Sequence, residues 1–315
     1  MAVVAILYVA LGAVFAALYN VGTKKVQTGE WKNRSSALVA LHLGMAAVML
    51  LSWSAATGGP ALTEGLEPFL WPMIATGVLN IGIMLAKMRA RALEDVSLVT
   101  PIDSTTPAIV IVTSMLILGE YPSRLGWIGI LLLVLGTYIL NIQDVGAKLA
   151  ERLSKEKEGR PVPRWRVYLA PFLALKGSVG VRWAFLAVGL STISLNFDGL
   201  VARRANIAFG LGCVVAIAAL GNLGVALWRK EFHGVTVRDA AVKSLPLAAL
   251  WALSNGITNL AYRESIVPYV GTMKRLQIPL TIILAYWLLD ERKSFRERFA
   301  GGLVMTIGAV LIGLG

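Results

Sequence analysis

Residues 265–291 read S-I-V-P-Y-V-G-T-M-K-R-L-Q-I-P-L-T-I-I-L-A-Y-W-L-L-D-E, and this stretch decides the class of fold. The apolar run after its two cations, 276–289, is shorter than the ~20 helical residues that cross a bilayer. A membrane span must therefore begin near Ile266 and include Lys274 and Arg275. Arg275 then lies roughly 14 Å into the span, at ~1.5 Å per residue. That depth is close to the middle of a ~30 Å hydrocarbon core.

A cation at that depth costs about 3 kcal/mol unless it faces a polar cavity or a partner. Adjacent residues point about 100° apart on an α-helix, so one partner is not expected to satisfy both Lys274 and Arg275. Arginine offers a planar fork and lysine a point charge, and both bind phosphate or carboxylate. The pair therefore predicts a site for an anionic group inside a polytopic membrane protein. The alternative interpretation is a structural ion pair with an acid elsewhere in the bundle.

The composition agrees with a membrane protein. The chain of 315 residues is 57% hydrophobic and 15% charged, and its mean hydropathy is +0.69. This length holds ten spans with short loops and leaves no room for a separate soluble domain. The net charge of +12 does not indicate a nucleic-acid partner, because the charges lie between apolar runs rather than on one soluble face.

Metal and disulfide chemistry are not expected. Cys213 is the only cysteine, which excludes an intrachain disulfide. It forms no metal-binding motif by local spacing with His42 or His233, so we predict neither a metal nor a cofactor. The first apolar run lacks a basic segment before it, and we interpret it as a first span rather than a cleaved signal peptide.

Ten apolar runs are long enough for helical spans. One long connection, 143–182, is rich in Lys, Arg and Glu and separates two halves. We therefore predict an all-α protein with a first five-helix repeat at 1–142, a basic connector loop at 143–182 and a second five-helix repeat at 183–315. The predicted spans are 2–21, 36–56, 67–86, 96–118, 124–142, 183–202, 207–228, 243–262, 266–289 and 295–315.

The two halves carry similar residues at corresponding places. An odd number of spans in each half gives the halves opposite orientations, which is the inverted repeat that places a substrate site near the midplane. The spacing of glycines in spans 5 and 10 predicts close helix contact, within one chain or across a homodimer. The matching sets are Asn20 and Gly22 with Asn196 and Gly199, Asn80 with Asn255, Asp103 and Pro107 with Arg275 and Pro279, and Gly129 and Gly136 with Gly301 and Gly308.

The distribution of cations predicts the orientation. The loops after odd-numbered spans hold nearly all Lys and Arg, and the opposite loops hold only Arg124, Arg203, Arg204 and Arg263. The positive-inside rule then places the basic loops in the cytoplasm and both termini outside, in the cytoplasmic membrane.

These residues resemble the drug/metabolite transporter superfamily, and specifically its ten-span EamA-like permeases. The resemblance rests on Pro107, L-I-L-G-E at 116–120, K-R-L at 274–276, Pro279 and D-E at 290–291, together with the glycines of spans 5 and 10. It covers essentially the whole chain and implies a transporter rather than an enzyme. Relatives have both termini in the cytoplasm, in contrast to the charge distribution here. Lys274 and Arg275 are also similar to the pair that holds substrate phosphate in triose-phosphate translocators.

Asp103 is the predicted partner of Arg275. It lies four residues before Pro107, as Arg275 lies four before Pro279, so the repeat would place both at similar depth. A buried carboxylate there could carry a coupling proton, or it could be paired permanently with Arg275. Thr106 could bond substrate, or bond back to a helix carbonyl.

Asn80, Asn255, Asn259 and, more weakly, Tyr19 complete the predicted substrate site. Side-chain amides offer both donors and acceptors to a substrate, although they also join helices in membranes at about 1 kcal/mol each. Glu120, Asp290 and Glu291 end their spans, and we expect them to pair at the surface with residues such as Arg124 and Arg292.

The sequence therefore predicts a secondary transporter of small metabolites that works by alternating access and whose substrate bears an anionic group. The alternative is an exporter of neutral or zwitterionic metabolites in which Asp103 and Arg275 form a structural ion pair. The expected partners are a small-molecule substrate, the lipid bilayer, and a coupling proton or counter-substrate. A membrane-embedded enzyme is disfavoured because no His, Cys or clustered carboxylates supply a nucleophile or metal set.

Overall fold

The computed structural model describes residues 2–28, 31, 34–94, 102–138, 169, 172–175, 177–288 and 295–314. Within these residues the chain is helical and contains no strand. The fold class predicted from the sequence, an all-α membrane protein, is confirmed. The helices are α1 (Ala2–Thr28), α2 (Ser35–Ala56), α3 (Leu66–Leu93), α4 (Thr106–Ile117), α5 (Arg124–Tyr138), α6 (Val179–Arg204), α7 (Ile207–Trp228), α8 (Val237–Glu264), α9 (Val267–Met273), α10 (Gln277–Leu288) and α11 (Phe295–Leu314).

Five of these helices, α1, α2, α3, α6 and α7, are long and apolar enough to cross a membrane. Shorter apolar stretches lie at Thr106–Ile117, Arg124–Tyr138 and Gly302–Ile312. Large apolar side chains such as Leu116, Leu7 and Leu220 are exposed, as expected where a helix meets lipid rather than water. Most of the predicted connector, 143–182, lies outside the described residues, so the division into two repeats stays a prediction.

The predicted ninth span is interrupted. A 3₁₀ turn, Lys274–Leu276, joins α9 to α10. Pro279 has no N–H to donate to the carbonyl of Arg275 four residues earlier, and its ring crowds that carbonyl. In the fourth span, α4 begins at Thr106 with Pro107 in its first turn, after a short turn at 104–105. The two prolines therefore interrupt their helices at corresponding places.

The helices pack in the pairs that a two-fold relation between the halves would produce. α1 packs against α8, and α3 packs against α6; these pairs exchange if spans 1–5 correspond to spans 6–10. α2 packs against α7, which corresponds to itself under the same exchange. This pattern supports the predicted inverted repeat.

α5 and α11 cross with their backbones in contact. A Cβ added at Gly129 would lie 2.5 Å from the carbonyl oxygen of Gly308, and one added at Gly308 would lie 2.6 Å from the carbonyl oxygen of Gly129. No side chain larger than hydrogen fits at either position. The close contact that the glycine spacing predicts is thus formed by these two glycines within one chain.

Two faces of the bundle can be distinguished by the loops that meet there. The terminal face holds the loops 57–65, 118–123, 205–206 and 265–266, where Thr63 N donates to Arg204 O at 3.0 Å and Asn206 N to Pro60 O at 2.8 Å. The basic face is the opposite end. There Ala37 N donates to Glu231 Oε2 at 2.8 Å, and Trp31 Nε1 donates to Asp239 Oδ2 at 2.9 Å.

Candidate functional site

A cavity of about 430 Å³, here called the central cavity, lies between α2, α3, α6, α7 and α8. Gln27, Ser35 and Lys87 line it near the basic face. Its inner wall reaches Lys274 and Asp198, and its sides include apolar residues such as Leu43 and Val214. Concave, partly apolar spaces with a few converging polar groups are typical of small-molecule sites.

Lys274 lies at the inner wall of the central cavity. Its Nζ is 5.0 Å from the ring centroid of Tyr262, a side chain that is completely buried. None of the ion pairs among the described residues joins Lys274 to a carboxylate. An ammonium against an aromatic face is stabilised by the ring quadrupole and can still donate hydrogen bonds to a ligand.

Arg275 points elsewhere, although it is adjacent to Lys274. In a 3₁₀ turn successive residues are about 120° apart, so the two side chains leave the backbone in different directions. Arg275 Nη2 donates to the main-chain oxygen of Asp103 at 3.0 Å. That carbonyl is the one that Pro107 leaves without a helical donor. The structure thus brings Lys274 to the central cavity, while Arg275 supplies a donor to the Asp103 carbonyl just before α4.

The ion pair predicted between Asp103 and Arg275 takes a different form. The Asp103 carboxylate lies 3.5 Å from Lys87 Nζ, with side chains 30% and 38% exposed. Arg275 donates its hydrogen bond to the Asp103 main-chain oxygen, and it interacts with the carboxylate only at a distance longer than an ion pair. Thr106 Oγ1 also donates to this oxygen, at 2.7 Å, which is the local backbone bond rather than the substrate contact. The sequence could not distinguish these geometries because both place Arg275 beside Asp103.

Asn80, Asn255 and Asn259 all line the central cavity. Each side-chain nitrogen donates to the carbonyl one helical turn earlier, on Thr76, Trp251 and Asn255 respectively. These bonds orient the amides, and each amide keeps its oxygen and a second N–H for other partners, which for Asn80 include Ser194 Oγ at 3.4 Å. A ligand with hydroxyl or ammonium donors would meet acceptors on this wall.

Asp198 is a cavity residue that the sequence patterns above do not single out. Its Oδ1 accepts a hydrogen bond of 2.6 Å from Thr76 Oγ1, and it lines the central cavity together with Lys274. A signal for it exists in the sequence, because Asp198 is the only acid inside the apolar run of span 6. An acid within a membrane span is by default a candidate functional residue.

A smaller cavity of about 190 Å³ adjoins the central one. It lies beside α1, and Lys274, Asn255 and Trp251 line both spaces. Tyr19 is one of its lining residues, and the Tyr19 hydroxyl lies 2.8 Å from His42 Nε2. His42 Nδ1 is in turn 2.6 Å from Leu38 O, so the imidazole joins α1 to the backbone of α2.

Glu120 and Arg203 form a network that ties the terminal face together. Glu120 Oε1 lies 2.6 Å from Arg203 Nη1, and Glu120 Oε2 accepts from Val267 N at 2.7 Å. Arg203 also donates to Tyr262 O at 2.7 Å and to Ser265 O at 3.0 Å. The surface pairing expected between Glu120 and Arg124 is wrong. Asp290, Glu291 and Arg292 lie outside the described residues.

Gly119 explains how Glu120 turns inward from the end of α4. Its φ is +67°, in the left-handed region that glycine adopts without a steric penalty. Glu120 N then points back to Ser114 O, at 3.4 Å. The L-G-E motif at 118–120 therefore acts as a helix ending that directs a carboxylate into the bundle.

Helices that cross a membrane and enclose a polar internal cavity define a class of protein: polytopic proteins that handle small solutes within the bilayer. Residues 3–142 match the model of the EamA-like transporter family. The match covers less than half of the chain and supports the predicted membership of the drug/metabolite transporter superfamily. Together with the long apolar helices, it indicates a multi-pass membrane transporter of small solutes.

The fold is shared with a protein of known structure. A solved crystal structure superposes with a TM-score of 0.68 over 99% of this chain and 96% of its own, at 17% sequence identity. At that identity the likeness shows the fold alone. No curated protein matches the sequence. The resemblance to triose-phosphate translocators stays a prediction.

Proposed function

We propose that this transporter binds a substrate with an anionic group, and that Lys274 in the central cavity holds that group. The supporting observation is the placement of Lys274: its ammonium lies at the inner wall of the cavity, on an aromatic ring, and no described carboxylate meets it at ion-pair distance, although Asp198 interacts with it at longer range. A charge removed from water is costly unless it is paired. A phosphate or carboxylate of the substrate would supply a direct ion-pair contact.

The rest of the site favours a substrate that also carries hydrogen-bond donors. Asp198 and the amides of Asn80, Asn255 and Asn259 share the cavity with Lys274. A second candidate is therefore a zwitterionic substrate, with its carboxylate on Lys274 and its ammonium on Asp198. The sequence-based alternative of a zwitterion exporter is retained in this form, with Arg275 in a structural role toward Asp103.

The different state of the two faces supports our proposal of alternating access. The central cavity reaches residues near the basic face, whereas the Glu120–Arg203 network ties α4, α6, α8 and α9 on the terminal face. In the proposed cycle this network opens when the site turns toward the terminal face. For a protein of the cytoplasmic membrane, which this proposal assumes, the positive-inside rule makes the basic face cytoplasmic.

Asp103 is the proposed coupling residue. Its carboxylate lies 3.5 Å from Lys87, which lines the central cavity near the basic face. If Asp103 takes up a proton, or if a counter-substrate anion binds Lys87 in its place, the Asp103–Lys87 pair is broken. The charge of the cavity then changes, because the Lys87 ammonium is no longer neutralised by Asp103. This proposal covers either a coupling proton or a counter-substrate.

The test is ligand-induced thermal stabilisation of the purified protein, with phosphorylated, carboxylated, zwitterionic and neutral metabolites. Wild type is compared with Lys274→Gln and with Arg275→Gln, the adjacent cation that faces away from the cavity. We expect an anionic or zwitterionic compound to stabilise wild type and Arg275→Gln, and Lys274→Gln to lose about tenfold or more in affinity, which corresponds to ~1.4 kcal/mol.

Two outcomes would contradict the proposal. The first is a ligand that stabilises Lys274→Gln as strongly as wild type. The second is a series in which only uncharged compounds bind. Compounds that bind are next tested for uptake into proteoliposomes. This assay separates transport from binding, since a transported ligand must also cross the bilayer.

A further inference from the structure

The largest of the described cavities lies outside the central site, on the lipid-facing side of the bundle. It is a groove of about 650 Å³ between α2, α7 and α8, here called the lateral groove. Apolar residues line most of it, among them Trp53, Leu253 and Leu260. Trp53 and Leu253 are 66% and 48% exposed, so the groove is open to the membrane.

One end of the lateral groove is cationic. Arg263 lines it where α8 reaches the terminal face. Arg263 Nε donates to Ala202 O at 2.8 Å, and its Nη2 donates to Ala205 O. These carbonyl contacts hold the guanidinium in place but do not neutralise it.

The arginines of this face differ in their partners. Arg203 pairs with Glu120, and Arg204 pairs with Glu64 at 3.0 Å. Arg263 is exposed, and no carboxylate among the described residues pairs with it. A fixed guanidinium at the membrane surface is a binding group for phosphate.

We propose that the lateral groove binds one anionic phospholipid, with an acyl chain along the groove and the phosphate on Arg263. The groove follows α8 from Ala249 to Arg263, which is roughly 21 Å at ~1.5 Å per residue. One leaflet of a hydrocarbon core is about 15 Å thick, so the groove spans the depth of one leaflet. The charge at one end and the apolar length behind it match the two parts of a phospholipid.

Gly256 offers a direct way to fill the groove. It lines the groove, and a Cβ added there would meet no atom within 4 Å. Gly256→Leu therefore places a side chain in the space proposed for the acyl chain without displacing the protein. Gly224→Leu is the matched control, because Gly224 also lies within a helix and also has open space at its Cβ position, on α7 and away from the groove.

The experiment is native mass spectrometry of the full-length protein with palmitoyl-oleoyl phosphatidylglycerol or with the corresponding phosphatidylcholine. We expect wild type and Gly224→Leu to retain one phosphatidylglycerol with several-fold higher occupancy than phosphatidylcholine. Gly256→Leu should lose retention of both lipids by about fivefold or more, while Arg263→Gln should bind the two lipids equally. Excess inorganic phosphate should not displace the phosphatidylglycerol.

Three results would overturn the proposal. Equal retention of the two lipids by wild type would remove the role of Arg263. Undiminished retention by Gly256→Leu would place the lipid elsewhere. Displacement by inorganic phosphate alone would show a site for free anions rather than for a phospholipid.

Discussion

The charged side chains inside this bundle are stabilised in two different ways. At the terminal face, Glu120 and Arg203 lie 2.6 Å apart, and both also contact the main chain. In the central cavity, Lys274 rests on an aromatic ring, and no described ion pair joins it to a carboxylate. A charge whose partners are all protein groups serves the structure, whereas a charge that faces a cavity without one is available to a ligand. We therefore expect substitutions in the first region to change stability and substitutions in the second to change binding.

The strongest test of this contrast is Glu120→Gln. It leaves Arg203 without a carboxylate at a site where the Glu120 side chain is 11% exposed, and breaking such a pair costs on the order of 3 kcal/mol. The measurement is denaturant or thermal unfolding in detergent, with Glu64→Gln as a matched control. Glu64 pairs with Arg204 but is 57% exposed, so its loss should cost about 1 kcal/mol or less.

The double variant Glu120→Gln with Arg203→Gln sharpens the same result. It leaves neither charge alone, so it should be more stable than the sum of the two single effects predicts. Equal costs for Glu120→Gln and Glu64→Gln would show that the network is an ordinary surface pair.

Asp198→Asn tests the cavity itself. If Asp198 holds an ammonium, its loss removes a charged hydrogen bond of about 1.5–3 kcal/mol. Affinity for zwitterionic ligands should then fall about tenfold or more, while anions without an ammonium keep their affinity. Asp103→Asn is the comparison variant, and calorimetry or thermal shift gives both affinities. A uniform loss for every ligand class would assign Asp198 to the support of the helices instead.

Lys274→Met should separate binding from stability. Methionine keeps much of the length and the contact with Tyr262. It removes a charge that no described carboxylate meets at ion-pair distance, although Asp198 interacts with it at longer range. The stability of the unliganded protein should therefore change by about 1 kcal/mol or less, although anion binding is lost. A large loss of stability in unfolding curves without ligand would mean that Lys274 is a structural cation.

Thr106→Val should have the smallest effect. The Thr106 hydroxyl donates to Asp103 O, but Arg275 donates to the same oxygen, so no buried acceptor is left unsatisfied. We expect a stability change of about 1 kcal/mol or less and unchanged ligand affinity. A tenfold change in affinity would instead assign the hydroxyl to the substrate site.

The class of fold could be predicted from the sequence because apolar runs and their lengths constrain a membrane protein strongly. The ninth span was predicted less well, because the predicted depth of Lys274 and Arg275 assumes one regular α-helix. The 3₁₀ turn at these residues changes the directions of their side chains. Its cause, Pro279, is visible in the sequence and predicts a kink. A kink alone, however, does not define which way each of the two cations points.

The cavity residues were predictable where they follow the repeat. Asn80 and Asn255 occupy matching positions and both line the central cavity. Asp198 has no acidic counterpart in span 1, so symmetry gave no reason to select it. The partner of Glu120 was missed because Arg203 lies 83 residues away along the chain, and only the packing of α4 against α6 brings the two together.

That separation along the chain has a consequence for biosynthesis. At ~5–20 residues per second, the ribosome adds Arg203 roughly 4–17 s after Glu120. During this interval, Glu120 has been synthesised but its partner Arg203 has not. Glu120 can remain without this ion-pair partner because it lies at the end of its helix, near the water interface rather than at the midplane. The terminal face therefore closes only after the second half of the chain has been inserted.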